Sequence, residues 1–91
     1  MVDDNSVFGR RDRVMAQEVE GQAVLLDIES GEYFALNDVG KRVWDLCDGT
    51  RTVAQVADTI CSEYDVPADT ALDDTGALLE NLAGAGLVIE A

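Results

Sequence analysis

Histidine is absent from this 91-residue chain. That removes the commonest general base, the commonest metal ligand and the His-paired serine and cysteine nucleophiles together. Cysteine is scarce. Cys47 and Cys61 form no CxxC pair and fall at apolar-periodic positions of expected helices, as buried reduced thiols do. No P-loop, GxGxxG or metal-ligand cluster occurs, and the glycines are scattered at turns rather than gathered into a phosphate loop. Asp73 and Asp74 are adjacent, so on a helix they point about 100° apart and read as solvated acids. Basic residues are few and confined: Arg10, Arg11, Arg13, Lys41, Arg42 and Arg51 all precede Thr52, and from there to Ala91 run eight acids and no base. A nucleic-acid surface needs Lys and Arg to displace counterions, so nucleic acid is not an expected partner. No apolar run approaches the roughly 20 residues of a membrane span. Residues 1–5 carry two acids and no apolar h-region, so no membrane association and a cytoplasmic location are expected.

What is present is ordinary for one small globular domain. Hydrophobic residues make up 47% of the chain, and the net charge is −13, which favours solubility and basic partners. Residues 1–12 read as a flexible N-terminal tail, polar and disordered over 1–5, with a short basic patch at 10–13 that flanks the first strand or touches the acidic body. Residues 13–91 read as the domain. Within it, residues 14–19 and 23–28 are expected as strands joined by a Glu20-Gly21-Gln22 turn. A second turn, with Gly31 offering a positive φ, leads to a third strand over 33–36. The result is a three-stranded antiparallel meander.

Three helices follow. Asn37 or Asp38 caps the first, and Asp48-Gly49 stops it. Thr52 caps the second, with Gln55 completing a capping box. Its apolar face is Val53, Val56, Ala57, Ile60 and Tyr64, and residues 65–67 end it, since Pro67 cannot continue a helix and restrains the residue before it. The third covers residues 68–83. Ala71, Thr75, Leu78, Leu82 and Ala85 make its core stripe. A second apolar lobe, Leu72, Gly76, Leu79 and Ala83, lies beside it, flanked by Asp69, Asp73 and Glu80. Gly76 costs a mid-helix position about 1 kcal/mol relative to Ala and marks a candidate close backbone approach. Leu87-Val88-Ile89 is a short final strand or a tucked tail. The fold class is therefore α+β, a three-stranded antiparallel sheet followed by three helices, winged helix-turn-helix-like. A winged helix usually reads DNA with its last helix, but this one is acidic and without Lys or Arg.

The third strand has one neighbour in a meander. Its unpaired N–H and C=O groups invite an added strand. A groove between that edge and the second lobe of the third helix suits a short peptide with apolar anchors and Lys residues.

The runs LLDIESGEYFALNDVGKRVWDL and DGTRTVAQVADTI, and a third helix ending in LAGAGLV, resemble the PqqD-like family, which includes the recognition elements of ribosomally made, post-translationally modified peptides. The pattern is carried by Leu26-Asp27, Ser30-Gly31, Tyr33, Leu36-Asn37, Gly40 and Trp44. It is most similar to the stand-alone leader-binding proteins of lasso-peptide clusters, while residues 46–49 and 52–53 also resemble PqqD proper, of pyrroloquinoline quinone biosynthesis. The resemblance implies a precursor leader peptide added to the third strand, at Glu32, Tyr33, Phe34, Ala35 and Leu36. It implies a helix face of Asp69, Leu72, Asp73, Gly76, Leu79 and Glu80. It also implies no catalysis and no cofactor, with delivery of the precursor to a leader-cleaving cysteine protease and a cyclase. The alternatives are a PqqD-type peptide chaperone and a winged-helix DNA-binding regulator.

Overall fold

Burial alternates perfectly along β3 (Gln22–Asp27), with Ala23, Leu25 and Asp27 turned inward. That period of two is what a strand with one wet face requires. β3 is the centre of a sheet, between β2 (Val14–Val19) and β4 (Tyr33–Leu36), both antiparallel to it. Glu20 and Gly21 both take positive φ in the β2–β3 turn. That twist matches the flanking strands of a two-residue hairpin. The structure is a computed structural model, and it describes residues 3–91. Met1 and Val2, part of the expected disordered start, lie outside the described residues.

Asn37 caps α1 (Asp38–Leu46) by accepting from the Gly40 N–H at 2.8 Å. A Cβ at Gly40 would stand 3.2 Å from that same Asn37 oxygen and 3.3 Å from Leu36, so glycine lets the cap and the end of β4 meet. The reciprocal capping box of α2 (Val53–Tyr64) is formed by Thr52 and Gln55, and Val53, Val56, Ala57 and Ile60 are buried, as their spacing predicts. α3 spans Ala68–Gly84. The core gathers Leu25, Val43, Trp44, Val56, Leu79 and Leu82 between the sheet and the helices.

A second sheet goes beyond the expected meander. β1 (Val7–Arg10) lies between β5 (Asp48–Thr52) and β6 (Val88–Glu90). The expectation of a flexible tail over 1–12 therefore fails at Val7–Arg10, where Phe8 is only 4% exposed. The strand was hidden because it is short, contains Gly9 and finds its partners far along the chain. β5, DGTRT, is polar throughout and has no alternation to read. α1 ends at Leu46, where the Arg10 guanidinium donates to the Trp44 and Asp45 carbonyls. Asp48 then pairs with Gly9 instead of merely ending the helix. Leu87-Val88-Ile89, left between strand and tail, contributes Val88 and Ile89 to β6.

Phe8→Ala is expected to destabilise the protein by about 3 kcal/mol, the usual cost of emptying an aromatic core site. Urea unfolding measures this, and a change below about 0.5 kcal/mol, within the range of ordinary surface substitutions, would return the segment to the status of a tail.

Candidate functional site

Asp27 shapes the turn that presents β4. Its carboxylate accepts from the Glu29 N–H at 2.9 Å and the Ser30 N–H at 3.4 Å, and from Arg13 Nε at 3.2 Å. Gly31 takes φ +77°, and its N–H closes the turn onto the Asp27 carbonyl at 2.8 Å. Arg13 also donates to the Gly86 carbonyl at 3.4 Å, which ties the turn to the end of α3. Burial alone would push the Asp27 carboxyl up; the two backbone N–H donors and the Arg13 guanidinium outweigh it and hold it below the usual aspartate range.

The phase of the β3–β4 ladder follows from one bond. The Asp27 N–H donates to the Glu32 carbonyl at 2.9 Å, so that pair is hydrogen-bonded. In an antiparallel ladder every second pair then exchanges bonds. Phe34 with Leu25, and Leu36 with Ala23, fall in that set. Tyr33 and Ala35 alternate with them, so their N–H and C=O groups point to the open side. No other strand among the described residues pairs with β4.

Beside this edge lies a groove of about 580 Å³ between β4 and α3. Phe34 and Leu36 line it from the strand; Ala71, Asp74, Leu78 and Asn81 line it from the helix. Of residues 32–36, Glu32 and Tyr33 are exposed and lie outside the groove lining, while half-buried Phe34, exposed Ala35 and buried Leu36 line it.

The helix face differs from expectation. Leu79 is 1% exposed and belongs to the core. Leu72, Asp73, Gly76 and Glu80 line a separate hollow with Asp3, Asp4 and Val53. Asp69 is exposed in the first turn and lines neither hollow. At 100° per residue the expected stripe and the groove stripe are about 180° apart, on opposite sides of the helix. Both lobes of α3 are apolar, and periodicity alone does not say which one faces the hairpin. The signal that separates them is the N-terminal segment: Ser6 and Asp4 carbonyls accept from the Val53 and Ala54 N–H groups, so residues 3–6 lie against the Leu72 side. Gly76 marks no close approach, since a Cβ there would meet nothing within 4 Å.

On its other face the β2-β3-β4 sheet is exposed and apolar. Met15, Leu26 and Tyr33 lie side by side across the three strands and are 60%, 38% and 76% exposed. Val19, Val24 and Ile28 extend the patch. Cys47 is buried, and burial pushes its thiol up to about 11, which leaves too little thiolate at neutral pH for a nucleophile. Cys61 is free and half-buried. Among the described residues no group of three or more metal-ligating side chains is assembled, and no helix is long and apolar enough to cross a membrane.

Residues 22–88 match the family PqqD, Coenzyme PQQ synthesis protein D. Over 57 residues, 63% of this chain, the sequence is 35% identical to the PqqA binding protein of Bradyrhizobium diazoefficiens (strain JCM 10833 / BCRC 13528 / IAM 13628 / NBRC 14792 / USDA 110). The aligned span covers 55% of that relative's length. The fold is similar to that of lasso peptide synthetase B1 complexed with the leader peptide, with a TM-score of 0.79 and 32% identity over 90% of this chain and 96% of that one. It is also similar to TbiB1 in complex with the TbiA(beta) leader peptide, with a TM-score of 0.78 and 32% identity over 88% and 93% of the two chains. The PqqD truncation of Methylobacterium extorquens PqqCD, a stand-alone recognition element for ribosomally made and modified peptides, superposes with a TM-score of 0.81 at 26% identity, over 98% and 95% of the two chains.

The depressed Asp27 carboxyl makes a pH prediction. Its contribution to stability is complete above the ordinary aspartate value of about 3.9 and is lost as pH falls through the lower folded-state value. Asp27→Asn is expected to lower the urea midpoint at pH 7, and the gap to the unsubstituted protein should narrow as pH drops below about 4. A gap that stays constant over that range would show that the carboxylate charge contributes nothing to the turn.

Proposed function

The chain belongs to the PqqD family, and we propose that it binds the leader segment of a ribosomally made precursor peptide, of the lasso-peptide type, by adding it as a strand to β4. The observation that carries this reading is the open edge at Tyr33 and Ala35, set beside a mainly apolar groove. Main-chain bonds to the edge provide affinity, and side chains entering the groove provide selection. Support comes from the two similar solved structures that hold a leader peptide. The site is residues 32–36 with the Ala71, Asp74, Leu78 and Asn81 stripe of α3. It replaces the Asp69, Leu72, Asp73, Gly76, Leu79 and Glu80 face.

The protein carries out no bond-breaking step in this reading. It hands the precursor to a leader-cleaving cysteine protease and then a cyclase. The exposed face of Met15, Leu26, Ile28 and Tyr33 is the surface for the protease, since a bound leader extends the same sheet and adds its outward side chains to the same patch. A second copy of a chain with net charge −13 is a poor occupant; a partner with a basic rim is a good one. The similarity to a PqqA binding protein favours one second reading, in which the same edge presents a PqqA-type precursor as a peptide chaperone.

Ala35→Pro separates binding from folding. Its N–H points away from β3, so proline is tolerated there as on other free edges, yet one donor to the leader is lost. With a fluorescein-labelled lasso-type leader peptide that binds the unsubstituted protein, the variant is expected to stay folded and bind about tenfold more weakly. Unchanged affinity in fluorescence anisotropy would overturn the strand-addition reading.

A further inference from the structure

We propose that Asp74 selects the bound peptide, by requiring a Lys or Arg at one fixed offset from its apolar anchors. The inference rests on strand addition at β4 and deepens it. Among the described residues, Asp74 is the single ionisable side chain lining the groove. None of the chain's ion pairs among the described residues involves it. Arg13, Lys41, Arg42 and Arg51 are engaged with carboxylates elsewhere, and no Lys or Arg lines the groove. Asp74 is exposed to water in the free protein, so its carboxylate is available to a cation that a ligand brings.

Strand geometry says where. Peptide residues opposite Phe34 and Leu36 share their face of the sheet and enter the groove as apolar anchors. On the helix wall Asp74, Leu78 and Asn81 succeed one another at i, i+4 and i+7, one face of α3, so an apolar contact at Leu78 is bracketed by a carboxylate and an amide. A peptide laid along β4 covers this wall and strips water from it. An apolar or acidic residue beside Asp74 then leaves a desolvated, unpaired charge. A Lys or Arg there turns the same desolvation into a stronger ion pair. Asp74 thus favours one class of peptide and rejects the others in a single step. Asp73 is its neighbour in sequence but faces the opposite hollow with Leu72 and Glu80, so it shares the chain's general attraction for cations and not the positional requirement.

The test selects an mRNA-displayed library of random decapeptides on immobilised protein carrying Asp74, Asp74→Lys, Asp74→Asn, Asp73→Lys or Ala35→Pro, each checked for its fold by circular dichroism. With Asp74 present, the pool should show alternating apolar residues and a Lys or Arg at one constant offset, enriched about tenfold, the ratio expected of a partly desolvated charge pair. Asp74→Lys should replace that cation with Asp or Glu at the same offset. Asp74→Asn should erase the preference, and Asp73→Lys should leave it intact. The proposal is overturned if the alternating pattern appears without a fixed cation, if the cation survives Asp74→Lys, or if Asp73→Lys removes it equally. A pool with no alternating pattern, or one unaltered by Ala35→Pro, overturns strand addition itself and this inference with it.

Discussion

One carboxylate holds the working part of this molecule in place. Asp27 sits at the end of the central strand, nearly buried, and gathers two N–H groups of the following turn and the guanidinium of Arg13. A buried charge survives only when it is paired and hydrogen-bonded, and here the pairing is what forms the turn. The turn sets the register of β4, and the register sends the Tyr33 and Ala35 backbone groups outward. Arg13 extends the same tie to the Gly86 carbonyl at the end of α3, so the strand wall and the helix wall of the groove are anchored to a common point. The residue pattern LD-x-x-S-G is in this sense a description of one electrostatic knot.

An open strand edge is a hazard as well as a device, because it templates pairing with any extended chain. Three features limit that hazard here. β4 is only four residues long, Glu32 immediately precedes it, and the molecule's net charge of −13 repels another copy of itself. The same charge draws in a cationic peptide. In the proposed reading, sheet edge, groove and charge act together: the edge offers bonds that any peptide backbone satisfies, and the Asp74 carboxylate of the groove restricts which peptide gains by satisfying them.

Much of this was legible in the sequence, because much of it is local. Turn residues, caps and two-residue periodicity depend on neighbours along the chain, and they identified β2, β3 and β4 and the Thr52–Gln55 box correctly and narrowed the first helix cap to Asn37 or Asp38. β1 and β5 were illegible for the opposite reason. They are short, lack an apolar alternation, and exist as strands only because Val7 meets Thr52 and Gly9 meets Asp48. That omission carried the second error with it. Without residues 3–6, which lie against the Leu72 side of α3, either apolar lobe of α3 was free to be assigned to the groove, and Leu79, a core residue, was assigned with them. Position on a helix wheel is a local quantity; which neighbour a face meets is not.

The central claim is that a leader peptide bonds to the outward backbone groups of Tyr33 and Ala35. Scalar couplings transmitted through hydrogen bonds, measured by nuclear magnetic resonance on an isotope-labelled complex of the protein with its leader, test this most directly. The account predicts couplings between the Tyr33 and Ala35 amides and leader carbonyls, with none from Phe34 or Leu36 to the leader. Absence of coupling at both Tyr33 and Ala35, with leader contacts at Leu72, Asp73 and Glu80 instead, would contradict it.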